Sequence, residues 1–130
     1  MKFLLPGKLF MQTERHDPAY IWDMMDAAKT TIQLTEGVSL QQYLEDRKLQ
    51  LAVERLIEII GEAARNVSKT FKDLHQDIPW HKIVAQRHVL AHDYGEIQQE
   101  KMWLLVLQNI PELIAKLQPL IIPPPPNPES

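Results

Sequence analysis

The sequence predicts an all-α fold, an antiparallel bundle of four or five helices joined by short loops. Three observations support this prediction. Apolar residues recur at intervals of three and four in successive stretches, which is the spacing of one helix face. Glycine, proline and capping residues separate these stretches. No stretch has the clear alternation of apolar and polar residues that is typical of a half-buried strand.

The first two helices are predicted from their end signals. Asp17 is the expected N-cap of the first helix, and Pro18 takes the first helical position, where its missing N–H costs nothing. Gly37 ends this helix. Ser39 and Gln42 then have the form of a capping box, which predicts a short second helix. The apolar stripe of the first helix contains Ile21, Met24, Met25, Ala28 and Ile32.

The third helix is the longest and is predicted for residues 47–67. Glycine inside a helix is unfavourable by about 1 kcal/mol relative to alanine, so Gly61 indicates a close crossing with another helix. Residues 70–77 are expected to form a connection that could contain a helical turn. The apolar stripe of the third helix contains Leu49, Ala52, Val53, Leu56, Ile59, Ile60, Ala63, Ala64 and Val67.

Two further helical stretches complete the bundle. Pro79-Trp80 opens the first of them, and Gly95 ends it. A last apolar stripe runs over residues 97–117. Pro111 lies within this stripe, and it should kink the helix or end one helix and begin another.

Length and composition indicate a single domain that needs no disulfide or structural metal. The absence of cysteine excludes thiolate metal sites and fits a reducing cytoplasm. No apolar run approaches the roughly 18 residues of a membrane span, so no membrane partner is expected. The predicted organisation is a lead-in over residues 1–14, a helical domain over residues 15–118 and a proline-rich flexible tail over residues 119–130.

The formal net charge of −3 argues against a protein that coats itself with nucleic acid. An enzyme needs only a local basic cleft, and His81, Lys82, Arg87 and His88 could supply one. A second copy related by a two-fold axis would strengthen its field.

Residues 79–94 form the chemically densest stretch of the chain. On a helix, His81, His88 and His92 lie on one face at i, i+7 and i+11, and Arg87 lies beside it. Metal-free RNA cleavage needs a group that exchanges a proton near neutral pH and a permanent cation that stabilises charge on the phosphate. His92 fits the first role. Arg87 fits the second, because guanidinium donates two parallel hydrogen bonds to phosphate oxygens.

The run RHVLAH at residues 87–92 resembles the R-x4-6-H motif of HEPN ribonucleases, including the polar residue directly after the arginine. With Tyr94, it resembles the R-x4-H-x-Y version found in HepT-type toxins. Other segments resemble the recurring segments of this family and follow its order, namely residues 15–20, residues 59–64 and Pro79-Trp80. The resemblance extends over residues 15–117 and implies a bundle of the HEPN type.

The resemblance implies a homodimeric endoribonuclease in which two motif helices line one cleft. A ribose 2′-hydroxyl would attack the adjacent phosphate there, with His92 as general base or acid. Arg87 would stabilise the pentacovalent oxyanion, and His88 would orient His92 or contact phosphate. The resemblance implies no cofactor and no metal.

The resemblance also implies a protein partner. In HepT-type toxins, the tyrosine that matches Tyr94 receives AMP units from a nucleotidyltransferase antitoxin of the MntA type. The added phosphates beside Arg87 would fill the cleft and repel RNA. The protein would then be the toxin of a type VII-like toxin–antitoxin system and could form a larger hetero-oligomer with its antitoxin.

Two other functional interpretations stay open. In the first, the chain is a non-catalytic dimerisation or interaction module, associated with a nucleotidyltransferase, in which Arg87 and His92 make only polar contacts. In the second, its histidines bind a transition metal. His81 lies roughly 10 Å along the helix from His88, so it could not share one ion with His88 and His92 within one protomer.

The remaining polar and aromatic residues have structural interpretations. Asp17 is expected to cap a helix, and Glu62 to make a hydrogen bond inside the bundle. The three tryptophans, Trp22, Trp80 and Trp103, are expected in the core or in a dimer interface. Trp80 has an alternative role, since it could stack on an RNA base.

Overall fold

The computed structural model of the protein describes residues 16–92 and 98–121, and the side chains of His16 and of residues 87–92 lie outside the described part. The predicted all-α fold is confirmed, since every regular element in these ranges is helical. The α-helices are α1 (His16–Thr35), α2 (Leu40–Glu45), α3 (Arg47–Asn66), α4 (Lys69–Leu74), α5 (Trp80–His92), α6 (Gln99–Leu104) and α7 (Ile110–Leu117). A π-helical segment, Leu105–Asn109, joins α6 to α7, and a 3-10 turn, Gln118–Leu120, follows α7.

Asp17 does not cap the first helix as predicted, and instead binds the residue that caps α4. Helix α1 begins at His16, so Asp17 lies inside its first turn. The Asp17 carboxylate accepts hydrogen bonds from the backbone N–H of Ser68 at 2.9 Å and from the Ser68 hydroxyl at 2.6 Å. The Ser68 Oγ itself accepts from the Phe71 N–H at 3.2 Å, as the N-cap of α4. The prediction for Asp17 was therefore wrong, because its partner lies far along the chain.

The predicted end signals of α1 and α2 are present. Gly37 has φ of 76°, in the left-handed region that glycine enters at little cost. In the capping box, the Gln42 N–H donates to Ser39 Oγ at 3.1 Å, and the Ser39 N–H donates to Gln42 Oε1 at 2.9 Å. Asp46 then ends α2 and caps α3, accepting from the Leu49 N–H at 3.0 Å. These caps satisfy N–H groups that the helices cannot pair internally.

Helix α3 is the centre of the bundle. It packs against α1 on one side and α5 on another, and α1 also packs against α7. Gly61 is buried within α3, as expected for a helix that has neighbours on several sides. The fully buried side chains that form the core include Ile21, Met24, Tyr43, Val53, Ile78, Val106 and Leu117.

Pro111 marks the start of a new helix. This is one of the two outcomes that the sequence predicted for it. It lies in the first turn of α7, directly after the π-helical segment. A proline cannot donate to the carbonyl four residues before it, and its ring clashes with that carbonyl. The helix contains one extra residue in its turn there, because the Ile110 N–H donates to the Leu105 carbonyl five residues earlier.

Two further expectations need extension. The connection predicted after the third helix contains the regular helix α4. Beyond residue 118, where the predicted helical domain ends, Leu120 and Ile121 still pack against the core. Trp103 is buried as predicted. Trp22 is 56% exposed and lies outside the core, so its alternative place in a dimer interface stays a prediction. Within residues 16–92 and 98–121, no helix is long and apolar enough to cross a membrane.

Candidate functional site

Trp80 anchors the start of α5, the helix that carries the motif. Its side chain is only 7% exposed, and its indole N–H donates to the His75 carbonyl at 3.0 Å. The ring meets Phe71 edge-on at a centroid distance of 6.4 Å, and Lys72 Nζ lies 5.9 Å from the ring centroid. With its ring covered in this way, Trp80 is not available to stack on a base. The core prediction is confirmed, and the alternative role was wrong.

Helix α5 runs unbroken through both positions of the R-x4-H motif. Its backbone is helical as far as His92, so Arg87 and His92 lie five residues and about 7.5 Å of rise apart. His81 is exposed, and His88 and His92 follow it at i+7 and i+11 on the same helix face. The side chains of Arg87, His88 and His92 lie outside the described residues, and so does Tyr94.

A groove of about 420 Å³ lies beside the motif helix. Its aliphatic side chains come from α3, α5, the π-helical segment and α7, and they are Ile57, Ile60, Ile83, Leu105, Ile110 and Leu113. Its polar side chains are Lys82, Gln86, Asn109, Glu112 and Lys116. Gln86 is the residue directly before Arg87. The groove therefore includes the position directly before the motif.

A partly buried polar network fixes the start of α6. Gln99 is the first residue of α6. The Tyr43 hydroxyl donates to Gln99 Oε1 at 2.7 Å, and Gln99 Nε2 donates to Glu54 Oε2 at 2.7 Å. Arg47 Nη1 lies 3.5 Å from the same Glu54 oxygen. This network joins α2, α3 and α6.

Burial and the nearby Glu54 carboxylate together raise the pKa of Tyr43 to about 12. Both effects disfavour the phenolate, because it would be a charge in a poorly solvated site beside another negative charge. Tyr43 is also stacked on Trp103 at a centroid distance of 4.8 Å. It is therefore a neutral donor at physiological pH.

Glu62 lies on α3 with its side chain 45% exposed. It accepts a hydrogen bond from Asn66 Nδ2 at 3.5 Å and lies 3.8 Å from Arg65 Nη1, both residues of the same helix. Among the residues whose side chains the structure describes, no group of three or more His, Asp or Glu is placed to hold a metal ion. His88 and His92 are not among those residues, so the metal interpretation is untested.

Comparison with known proteins decides the family. The family described as "Ribonuclease HepT-like" matches residues 24–120, a range that contains the motif helix and the whole groove. The chain belongs to this family. The predicted recognition of a HepT-like, HEPN-type ribonuclease is thereby confirmed, and so is the predicted enzyme class. An RNase of this family has RNA as its substrate.

Named relatives agree with this assignment. This HepT-like chain is 35% identical over 107 residues to a probable ribonuclease HepT of Thermococcus cleftensis, covering 82% of this chain and 97% of the relative. It is 30% identical over 102 residues to a protein of Caldanaerobacter subterraneus that carries RNase in its name, covering 78% and 91% of the two chains. A similarly named protein of Methanocaldococcus jannaschii is 28% identical over 101 residues, covering 78% and 93%. No solved structure matches the chain.

Several groups of this site were not found from the sequence. Gln99 and Glu54 are 45 residues apart, and no local pattern relates them. Asn109 of the π-helical segment and Lys116 of α7 line the groove together with Gln86 of α5, which is far from both in the sequence. For Gln86, the sequence contained one indication of a place in the site, which is its position directly before Arg87.

Proposed function

We propose that this HepT-like protein is a metal-independent endoribonuclease toxin that acts in the cytoplasm, with Arg87 and His92 working at a cleft between two copies of the chain. The observation that carries the proposal is the unbroken helix α5, which holds both motif positions in a chain of this ribonuclease family. His81 is exposed and lies on the same helix face as His88 and His92, which supports the proposal.

Helix geometry favours a cleft built from two copies. At 3.6 residues per turn, Arg87 and His92 are about 140° apart around α5. One phosphate would not easily touch both from a single straight helix. When two such helices face each other, the histidine of one copy can approach the same phosphate as the arginine of the other. A two-fold axis produces this arrangement twice.

The reaction follows from these groups. The 2′-hydroxyl oxygen attacks the adjacent phosphorus, His92 accepts the hydroxyl proton, and Arg87 stabilises the pentacovalent oxyanion. The bond from phosphorus to the 5′-oxygen then breaks, and the leaving oxygen takes that proton back from the imidazolium of the same His92. The products are a 2′,3′-cyclic phosphate and a 5′-hydroxyl end. His88, one turn before His92, orients it or contacts the phosphate.

Regulation is proposed at Tyr94. A nucleotidyltransferase antitoxin of the MntA type would transfer AMP to this hydroxyl, two residues after His92. The added phosphates would place negative charge beside Arg87 and exclude RNA.

The deciding experiment is cleavage of a mixed RNA in excess EDTA by protein expressed alone, with its mass checked for AMP additions. His92→Ala should abolish cleavage. His81→Ala is the matched control, because His81 is an exposed histidine of the same helix outside the motif, and it should cleave as the unaltered protein does. Cleavage that EDTA abolishes would support metal chemistry instead. If unmodified protein does not cleave at all, the interaction-module interpretation becomes the better one.

A further inference from the structure

The groove between α5 and α7 has the composition of a base-binding site. Its aliphatic walls come from both sides, with Ile83 on α5 and Leu113 on α7, above Ile57 and Ile60 of α3. Its volume of about 420 Å³ is within the range of small-molecule pockets. It is large enough for a planar base.

The polar groups suggest which base it takes. Gln86 and Asn109 each present an amide, which donates and accepts at once and matches the donor and acceptor on one edge of adenine. Neither amide is strongly held. Asn109 is exposed, and Gln86 Nε2 makes only a 4.0 Å contact with Met102 Sδ. Both can therefore turn towards a ligand.

The charged groups fit the phosphate of a nucleotide. Lys82 and Lys116 carry the positive charge, and Glu112 is the one carboxylate among the groove residues that the structure describes. Glu112 lies 3.3 Å from Lys116 Nζ, in an ion pair that water weakens, because the Glu112 side chain is 64% exposed. Lys82 is exposed. The groove thus keeps an excess of positive charge beside its apolar floor.

We propose that this groove is an adenine-nucleotide subsite, which holds a base and phosphate of the RNA strand next to the scissile bond. The assignment to RNA rests on the proposed ribonuclease function. Ile83 of the groove lies four residues before Arg87 on the same helix, about 6 Å of rise away and only about 40° around the helix axis, so the two positions share one face of α5. A strand whose scissile phosphate is at Arg87 can therefore place a neighbouring nucleotide in the groove. Base preference at that position follows.

The test uses the groove's own isoleucines and does not depend on cleavage. Ile57, Ile60, Ile83 and Ile110 line the groove, and the δ1 methyl resonances of isotope-labelled isoleucine report on it separately from Ile21 of α1. The probes are 2′-deoxyadenosine 5′-monophosphate, 2′-deoxycytidine 5′-monophosphate and inorganic phosphate. We expect the adenine nucleotide to shift the groove methyls at lower concentration than the cytosine nucleotide, and phosphate alone to leave them unchanged.

Two variants make the test specific. Asn109→Leu removes one amide and should weaken adenine-nucleotide binding about two- to tenfold, the loss expected for one hydrogen bond. Gln108→Leu changes the exposed neighbouring amide, which does not line the groove, and should bind as the unaltered protein does. Equal shifts with both nucleotides would overturn the adenine assignment. If the groove methyl resonances shift when the protein is diluted and not when nucleotide is added, the occupant is a second copy of the chain. That result would overturn the proposal.

The two proposals can fail separately. If RNA is cleaved but the groove methyls do not respond to millimolar adenine nucleotide, the subsite is wrong and the ribonuclease assignment is unaffected. If the groove binds the nucleotide while RNA is not cleaved, the groove remains a nucleotide site and the catalytic proposal is wrong.

Discussion

The Tyr43 hydroxyl is the first donor in a chain of two hydrogen bonds that joins three helices. It lies in the core, stacks on Trp103 and donates to Gln99, which in turn donates to Glu54. Removal of the hydroxyl would leave Gln99 Oε1 without this donor in a partly buried position. An unsatisfied polar atom costs more than the net gain from one hydrogen bond.

At neutral pH, Tyr43→Phe should lower the free energy of unfolding by about 1 to 3 kcal/mol. This deficit should depend on pH, because the folded protein raises the pKa of Tyr43 from 10.0 to about 12. A raised pKa means that folding favours the protonated form, so the contribution is fully present below pH 10 and is lost as pH rises towards 12. Urea unfolding of both proteins at pH 8 and pH 11 measures the difference. A gap that stays constant between those values would contradict the assigned pKa.

Helix ends in this protein are stabilised by local caps and also by contacts with other helices. The capping box of α2 is local, since Ser39 and Gln42 are three residues apart. The cap of α4 is extended by a distant group, the Asp17 carboxylate of α1, which holds Ser68 by two hydrogen bonds. This contact fixes the start of α1 against the chain segment that leads to Trp80 and the motif helix.

Asp17→Ala should destabilise the protein by about 1 to 2 kcal/mol, because Ser68 loses both hydrogen bonds to the carboxylate. Asp26→Ala is the matched control. It removes an exposed carboxylate from the same helix and should change stability by less than about 0.5 kcal/mol. Thermal or urea unfolding of the two variants provides the comparison. Equal effects would show that the contact between α1 and α4 contributes no stability of its own.

Each copy of the chain carries both motif positions on one helix. A catalytic site that takes Arg87 from one copy and His92 from the other therefore has a consequence that can be measured. If the phosphate is held by Arg87 of one copy and His92 of the other, two inactive variants can complement each other. Mixed dimers would contain one cleft in which both groups are intact.

Arg87→Ala and His92→Ala proteins should each be inactive, and a mixture that has exchanged subunits should recover part of the RNA cleavage. The measurement is the cleavage rate of the mixture relative to each variant alone at the same total concentration. A mixture of His92→Ala with itself, taken through the same exchange step, controls for the treatment. No recovery, despite mixed dimers shown by mass, would place Arg87 and His92 of one chain in the same site.

Local patterns alone determined the helical class, the capping box at Ser39, the break at Pro111 and the motif at residues 87–92. These features depend on neighbours within a few residues, and a single chain displays them directly. Only the tertiary structure brought Asp17 to Ser68 and Tyr43 to Gln99, and placed Ile57 and Leu113 along one groove. These residues are tens of positions apart in the chain, and they meet because α1 and α5 pack against α3 and α7 packs against α1. Helical periodicity shows which face of a helix is buried, but it does not show what that face is buried against.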